Sequence, residues 1–137
     1  MNVVIIDGQG GRIGACIIRK LIDSDCPANI IVVGTNSAAT ASMIKAGALQ
    51  SATGENPVIV SSKTADIIVG PMGIIAANSL LGEITPSMAM AVSQSNAKKI
   101  LIPMSCCGII VAGVSDTLMK NYISEAVKLI LKECMPE

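Results

Sequence analysis

Short runs of apolar, β-branched residues alternate with stretches of helical period along most of this chain. Asn2 to Asp7 is an apolar run of strand length, closed by Gly8. From Arg12 to Asp23 the period changes. Ile13, Ile17, Ile18, Leu21 and Ile22 form one stripe, with Arg19, Lys20 and Asp23 off it, which marks an amphipathic helix. Asp25-Cys26-Pro27 ends that helix. Asn29 to Gly34 predicts a second strand, and Ser37 to Ala46 a second helix stopped by Gly47, a residue suited to a helix C-terminus. Leu49 to Thr53 predicts a short third strand. Asn56-Pro57 has the form of a cap followed by proline at the first helical position, whereas Val58 to Val60 suits a strand equally, so Val58 to Lys63 stays open. Asp66 to Gly70 is a buried strand, and Gly70-Pro71-Met72-Gly73 leads into a helix predicted from Ile74 to Glu83. Thr85-Pro86 repeats the cap-then-proline signal ahead of a helix to Ser95. Lys98 to Met104 predicts a strand and Ile109 to Val114 another, joined by a turn over Ser105 to Gly108. Ser115 or Asp116 caps a last helix to Glu133, with Leu118, Tyr122, Ile123, Val127 and Ile130 inward.

This alternation implies an α/β fold: one Rossmann-like, three-layer domain over residues 1–137, its mostly parallel sheet covered by helices on both faces. The connection to the Ile109–Val114 run is too short for a crossover helix. That strand is therefore expected at an edge, running antiparallel.

Composition narrows the function classes. Half of the residues are hydrophobic, yet Tyr122 is the one aromatic, so the core is built from Ile, Val, Leu, Met and Ala. Ten basic residues balance ten acidic ones, which argues against nucleic acid and membrane surfaces as partners. The apolar stretches Ile67–Leu81 and Ile100–Val114 are broken by glycine, proline and polar residues, and both fall short of the roughly 20 residues a spanning helix needs. Five cysteines, an odd number, with no secretory leader ahead of them, fit reduced thiols and a cytoplasmic location. With no C-x-x-C and no histidine, no metal site is expected, and the usual general base is missing. Cys106-Cys107 has no cationic partner in the sequence to lower a thiol pKa, and reads as small buried residues.

The strongest chemical signal is Asp7-Gly8-Gln9-Gly10-Gly11-Arg12-Ile13-Gly14, placed between the first strand and the first helix. Glycines let backbone N–H groups approach an anion, and a helix N-terminus adds partial positive charge, so a phosphate is the expected guest. G-x-G-x-x-G would need glycine at position 13, where Ile13 stands. The spacing is closer to the T-G-x-x-x-G-x-G turn of short-chain dehydrogenases, with Asp7 for threonine and Arg12 where the middle glycine falls. The tyrosine–lysine pair of those enzymes is absent, since Tyr122 has no lysine four residues on.

An acid that binds an adenosine ribose belongs about 20 residues past the fingerprint. Gly34-Thr35-Asn36 stands there instead. A hydroxyl and an amide do not repel a 2′-phosphate, and Arg12 offers a matching charge, so NADP is favoured over NAD. In an open parallel sheet ligands lie beyond the carboxyl ends of the strands. Residues Gly8, Gln9, Gly10, Gly11, Arg12, Ile13 and Gly14, the pair Thr35-Asn36, and Gly70, Pro71, Met72 and Gly73 all gather at that edge as candidate cofactor-binding groups. Asn78, Glu83 and Thr85 lie within reach of it. On a helix over 74–83, Asn78 and Glu83 read as a solvated face.

Several strings together resemble a family of small, uncharacterised Rossmann-like proteins from anaerobic Gram-positive bacteria. They are Val4-Ile5-Ile6-Asp7-Gly8-Gln9-Gly10-Gly11, Gly34-Thr35-Asn36, Lys45-Ala46-Gly47-Ala48, Ala52-Thr53-Gly54-Glu55-Asn56, Ile68-Val69-Gly70-Pro71, Leu81-Gly82-Glu83-Ile84-Thr85-Pro86 and Lys98-Lys99-Ile100-Leu101-Ile102-Pro103. The resemblance spans nearly the whole chain. It implies the fold and brings no activity or catalytic residues with it.

The expectation is a small cytoplasmic protein that binds a phosphate-bearing ligand, NADP or another nucleotide, at the first turn. One alternative is an enzyme on a small phosphorylated or carboxylated metabolite, with Glu83 or Cys107 as the reactive group. Another is a non-catalytic interaction module. High apolar content without aromatics suggests spare surface for self-association, so a homo-oligomer, a dimer, is expected.

Overall fold

A computed structural model describes residues 1–104, 108–114 and 118–137. Five strands form one all-parallel sheet: β1 (Asn2–Asp7), β2 (Asn29–Gly34), β3 (Gln50–Thr53), β4 (Ile67–Pro71) and β5 (Lys98–Ile102). Their spatial order is β3-β2-β1-β4-β5. The first three strands wind outward in one direction from β1 and the last two in the other, so the order reverses between β1 and β4. Register is tight at that seam, with Val3, Val4 and Ile5 opposite Ile67, Ile68 and Val69.

Side chains alternate across each strand and so feed two cores. Val3, Ile5, Val32 and Val69 pack with Ile17, Ile18 and Leu21 of α1 (Arg12–Asp23), Met43 of α2 (Ser37–Lys45), and Val127 and Ile130 of α5 (Met119–Cys134). Val4, Ile6, Val33 and Ile68 face the other way. They pack with Val58 of α3 (Glu55–Thr64) and with Met88 and Val92 of α4 (Pro86–Gln94). A sheet buried on both faces explains why its strands read as continuous apolar runs. The fold is a Rossmann-like three-layer domain, as the sequence implied.

Four local expectations change. The open stretch Val58–Lys63 is helical. Its helix starts at Glu55 behind Gly54 (φ 108°) rather than behind an Asn56 cap, and Thr85 Oγ1 donates to the Glu55 carboxylate at 2.5 Å. The helix expected over Ile74–Glu83 is absent: a 3₁₀ turn, Met72–Ile75, gives way to turns. Asn78, Leu80 and Leu81 adopt left-handed backbone with φ of 64°, 55° and 56°, which no helix of this hand accommodates. The loop is held instead by Asn78 N–H donating to the Ile84 carbonyl at 2.7 Å and by the buried Ser79 hydroxyl donating to the Gly73 carbonyl.

Among the described residues, Ile109–Val114 holds a single bridge at Ile109 and no strand, and no antiparallel edge is present. Ile110 is 86 % exposed and Gly113 has φ 83°, which interrupts extended backbone within that run. The last helix begins at Met119, after Leu118. The caps expected at Ser115 or Asp116, and the turn through Cys106 and Cys107, lie outside the described residues. No described helix is long and apolar enough to cross a membrane.

Candidate functional site

The turn after β1 is a compact hairpin of backbone whose own carboxylates claim much of its hydrogen-bonding capacity. Gly11 N–H donates to the Gly8 carbonyl at 2.9 Å and closes the turn. Gly11 has φ 71°, and a side chain there would also meet the Ala39 carbonyl oxygen at 2.6 Å. The fold itself therefore demands glycine at this position. Asp7, 4 % exposed, accepts from Gly8 N–H and Gly14 N–H, each at 2.8 Å. Burial pushes its carboxyl above the ordinary range. The amides of Gly14, Gly8 and Ile13 oppose that, and the charge of Glu83 adds to it.

Glu83 arrives from the loop before α4 and caps the turn from above. It accepts from Gln9 N–H at 3.1 and 3.2 Å, from Thr35 Oγ1 at 2.9 Å and from Asn36 Nδ2. Burial works against its ionisation, but the Asn36 and Thr35 side chains and the Gln9 amide outweigh it and hold the carboxyl below the usual carboxylate range. The solvated-face reading of Glu83 is thus overturned, because the helix that would have carried that face does not form. Asn78 remains exposed.

An open nest of amides is not what the turn presents. Those of Gly8, Gln9, Gly11 and Gly14 are bonded within the chain. Among the described residues, the Gly10 and Arg12 amides have no hydrogen-bond partner, and the Arg12 guanidinium pairs with no carboxylate. Both residues face a cleft of about 380 Å³ lined by Asp7 through Ile13, Pro71, Leu80 and Met104. The cleft sits beyond the carboxyl ends of β1 and β4, where the strand order reverses. Ligands in open parallel sheets occupy that place. A Cβ on Gly10 would meet nothing within 4 Å, and Gly10 has no left-handed backbone. The fold gives no reason for glycine at position 10. Free space beside a bare Cα is what a closely approaching ligand needs.

The sequence-derived candidates separate into three groups. Gly8, Gln9, Gly10, Gly11, Arg12, Ile13 and Pro71 line the cleft. Thr35 and Asn36 lie at its shoulder and hold Glu83; Asn36 also caps α2, accepting from Ala39 N–H at 2.8 Å, and donates to the Gln9 carbonyl at 3.0 Å. Gly14, Gly70 and Gly73 serve packing, and Met72 opens the 3₁₀ turn after β4, outside the cleft lining. A Cβ on Gly70 would sit 2.2 Å from the Ile6 carbonyl oxygen, so that glycine lets β4 lie close to β1. Leu80 and Met104 are cleft residues that the sequence reading passed over. Met104 was legible, since it follows the carboxyl end of β5.

A larger groove, about 510 Å³, runs between α3 and α4 past Ile59, Lys63, Met90 and Gln94. It lies along the helices, away from the strand ends where open parallel sheets hold their ligands, so the smaller cleft is the better candidate. Among the described residues no group of three or more His, Cys, Asp or Glu side chains could hold a metal ion. Burial and the adjacent Cys26 push the Cys134 thiol up to about 11, which leaves it protonated at neutral pH.

Residues 2–135 match a protein family described as a domain of unknown function, DUF3842. The chain belongs to that family. No curated protein matches it. Among solved structures, a dodecameric FMN-dependent UbiX-like decarboxylase from Escherichia coli O157:H7 is similar at 17 % identity and a TM-score of 0.45, over 93 % of this chain and 75 % of that one. A likeness at this level lends no weight to any assignment of ligand or reaction.

Proposed function

We propose that the protein binds a phosphate-bearing small molecule, a nucleotide, in the cleft between the β1 turn and the end of β4. Gly10 is the observation that carries this reading: a glycine the fold does not need, its amide unpartnered, beside open space at the reversal of strand order. The Arg12 amide and guanidinium supply further donors at the N-terminus of α1, where the helix dipole also favours an anion. A volume of about 380 Å³ lies at the low end of ligand sites, which run from about 300 to 1,000 Å³. It suits a mononucleotide, or one half of a dinucleotide.

NADP loses the advantage that the sequence gave it. Its preference rested on the charge of Arg12 and on the absence of an acid at the end of β2, and Glu83 places a carboxylate there. The enzyme alternative also weakens at Glu83. A carboxyl held below the usual range and bonded to three donors suits binding better than proton transfer at neutral pH. Homo-oligomer formation stays a proposal of its own. Leu49 and Leu81 are each 96 % exposed, and light scattering at micromolar concentration is expected to give the mass of a dimer.

Thermal unfolding with AMP, ATP, GTP, NAD, NADP, FAD or FMN tests the binding reading. At a hundred times its dissociation constant, a ligand adds about 2.7 kcal/mol to stability, several degrees in Tm for a chain of this size. Stabilisation by at least one of these at millimolar concentration is expected. An unchanged Tm with all of them would remove the nucleotide.

A further inference from the structure

We propose that Glu83 reads the sugar hydroxyls of the bound molecule, so that the nucleotide taken up carries an unphosphorylated ribose at the β1–β2 corner. This rests on the phosphate-binding reading of the turn and adds the part of the ligand next to the phosphate.

The two oxygens of Glu83 differ. Oε1 accepts from Thr35 Oγ1 at 2.9 Å, from Gln9 N–H at 3.1 Å and from Asn36 Nδ2. Among the described residues Oε2 accepts from Gln9 N–H alone, at 3.2 Å. One oxygen is thus used to fix the carboxylate, through donors from two separate turns, and the other keeps accepting capacity in a half-buried position. An ionised carboxylate only accepts. Whatever Oε2 recognises must therefore donate. The neighbouring turn offers the free amides of Gly10 and Arg12 and the Arg12 guanidinium, donors and positive charge that suit an anionic guest. Gln9 joins the two sets: its amide holds Glu83, and Gly10 follows it in the chain. A molecule with phosphate oxygens and hydroxyl donors a few bonds apart meets both demands, and a sugar phosphate is that arrangement.

Dinucleotide folds keep a ribose-binding acid at the end of their second strand. This chain has Gly34-Thr35-Asn36 there, and it brings the acid from the opposite half of the sheet, some 47 residues away in sequence from Asn36. The same charge that accepts from a hydroxyl repels a phosphate placed on it.

Adenosine 5′-monophosphate and adenosine 2′,5′-bisphosphate differ only in the 2′-phosphate, so titrating each by calorimetry into the wild-type protein isolates that corner. The bisphosphate is expected to bind about tenfold or more weakly than the monophosphate, because like charges at hydrogen-bond range repel. In Glu83→Gln, which keeps an acceptor oxygen and loses the charge, the monophosphate is expected to weaken and the gap to close. Equal or tighter binding of the bisphosphate by the wild type would overturn the inference, as would an unchanged gap in a folded Glu83→Gln protein. The wild-type comparison stands even if that variant does not fold. Binding of neither nucleotide is a different failure: it overturns this inference for an adenosine ligand, while the phosphate reading of the turn is decided by the unfolding measurements with all seven ligands.

Discussion

Alanine at position 10 is expected to leave the fold intact and weaken nucleotide binding about tenfold or more, a loss of roughly 1.4 kcal/mol. The same substitution at position 11 is expected to damage the fold itself. The two glycines are neighbours in one turn, yet their surroundings are opposite. A methyl on Gly10 points into open space with nothing within 4 Å. Its backbone is not left-handed, so stability is expected to stay within about 0.5 kcal/mol of wild type. That methyl takes the space a phosphate needs for close approach to the amide. At Gly11 a methyl meets the Ala39 carbonyl oxygen at 2.6 Å and the Ala39 Cα at 2.8 Å, both backbone atoms that cannot rotate away. A left-handed φ of 71° adds about 1–2 kcal/mol, and overpacking about 1–3. Together they come to about 3 kcal/mol, roughly ten degrees in Tm. Thermal unfolding and calorimetric titration of the two variants read this directly. A Gly10→Ala protein that binds like wild type would show that the bare Cα has no part in recognition.

Removing the Asp7 carboxylate is expected to be the most destabilising change of a single polar side chain. Asp7→Ala strands the buried amides of Gly8 and Gly14, whose donors now rest at 2.8 Å from its two oxygens. Each orphaned donor costs about 1–3 kcal/mol, so a loss of about 3 kcal/mol in urea unfolding at neutral pH is expected. Its titration has a definite sign. Burial raises the folded pKa above the ordinary value of 3.8. The protonated form is therefore the one the fold favours. That contribution is complete below 3.8 and fades as pH rises through the folded pKa. Glu83 has the opposite sign: with its pKa lowered from 4.5, its contribution is present above 4.5 and is lost as pH falls through the folded pKa. Asp7→Asn is expected to lose the decline that accompanies rising pH, leaving the Glu83 limb alone. If the pH profiles of wild type and Asp7→Asn run parallel above pH 4, Asp7 does not titrate as its burial requires.

Much of the architecture was legible because it follows from periodicity. Strands such as Val3–Ile6 and Ile67–Val69 are buried on both faces, so their sequences are unbroken apolar runs, and α1 has a stripe that only a helix can bury. The loop over residues 76–84 was not legible, and the cause is physical. Ile74, Leu80, Leu81 and Ile84 have the composition of a buried helix. The left-handed backbone at Asn78, Leu80 and Leu81 is set by tertiary bonds from Asn78 to Ile84 and from Ser79 to Gly73, which no local pattern encodes. That one misreading hid Glu83. An acid on a solvated helix face invites no attention, whereas an acid at the tip of a folded-back loop braces the turn that lines the cleft. The sequence argument for NADP lost its first premise by the same route, since an acid reaches the end of β2 from across the sheet. The glycine turn was placed correctly, and its amides were overcounted, because Asp7 and Glu83 consume three of them.

The most direct measurement is a titration of the ¹⁵N-labelled protein with adenosine 5′-monophosphate, followed through its amide resonances. If the phosphate docks in the cleft, the Gly10 and Arg12 amide protons move downfield as they gain an acceptor, while those of Gly8 and Gly14, already bonded to Asp7, move little. Saturating shifts at residues 59–63 and 87–96 of the α3–α4 groove with Gly10 and Arg12 unmoved would contradict the assignment of the turn as an anion site.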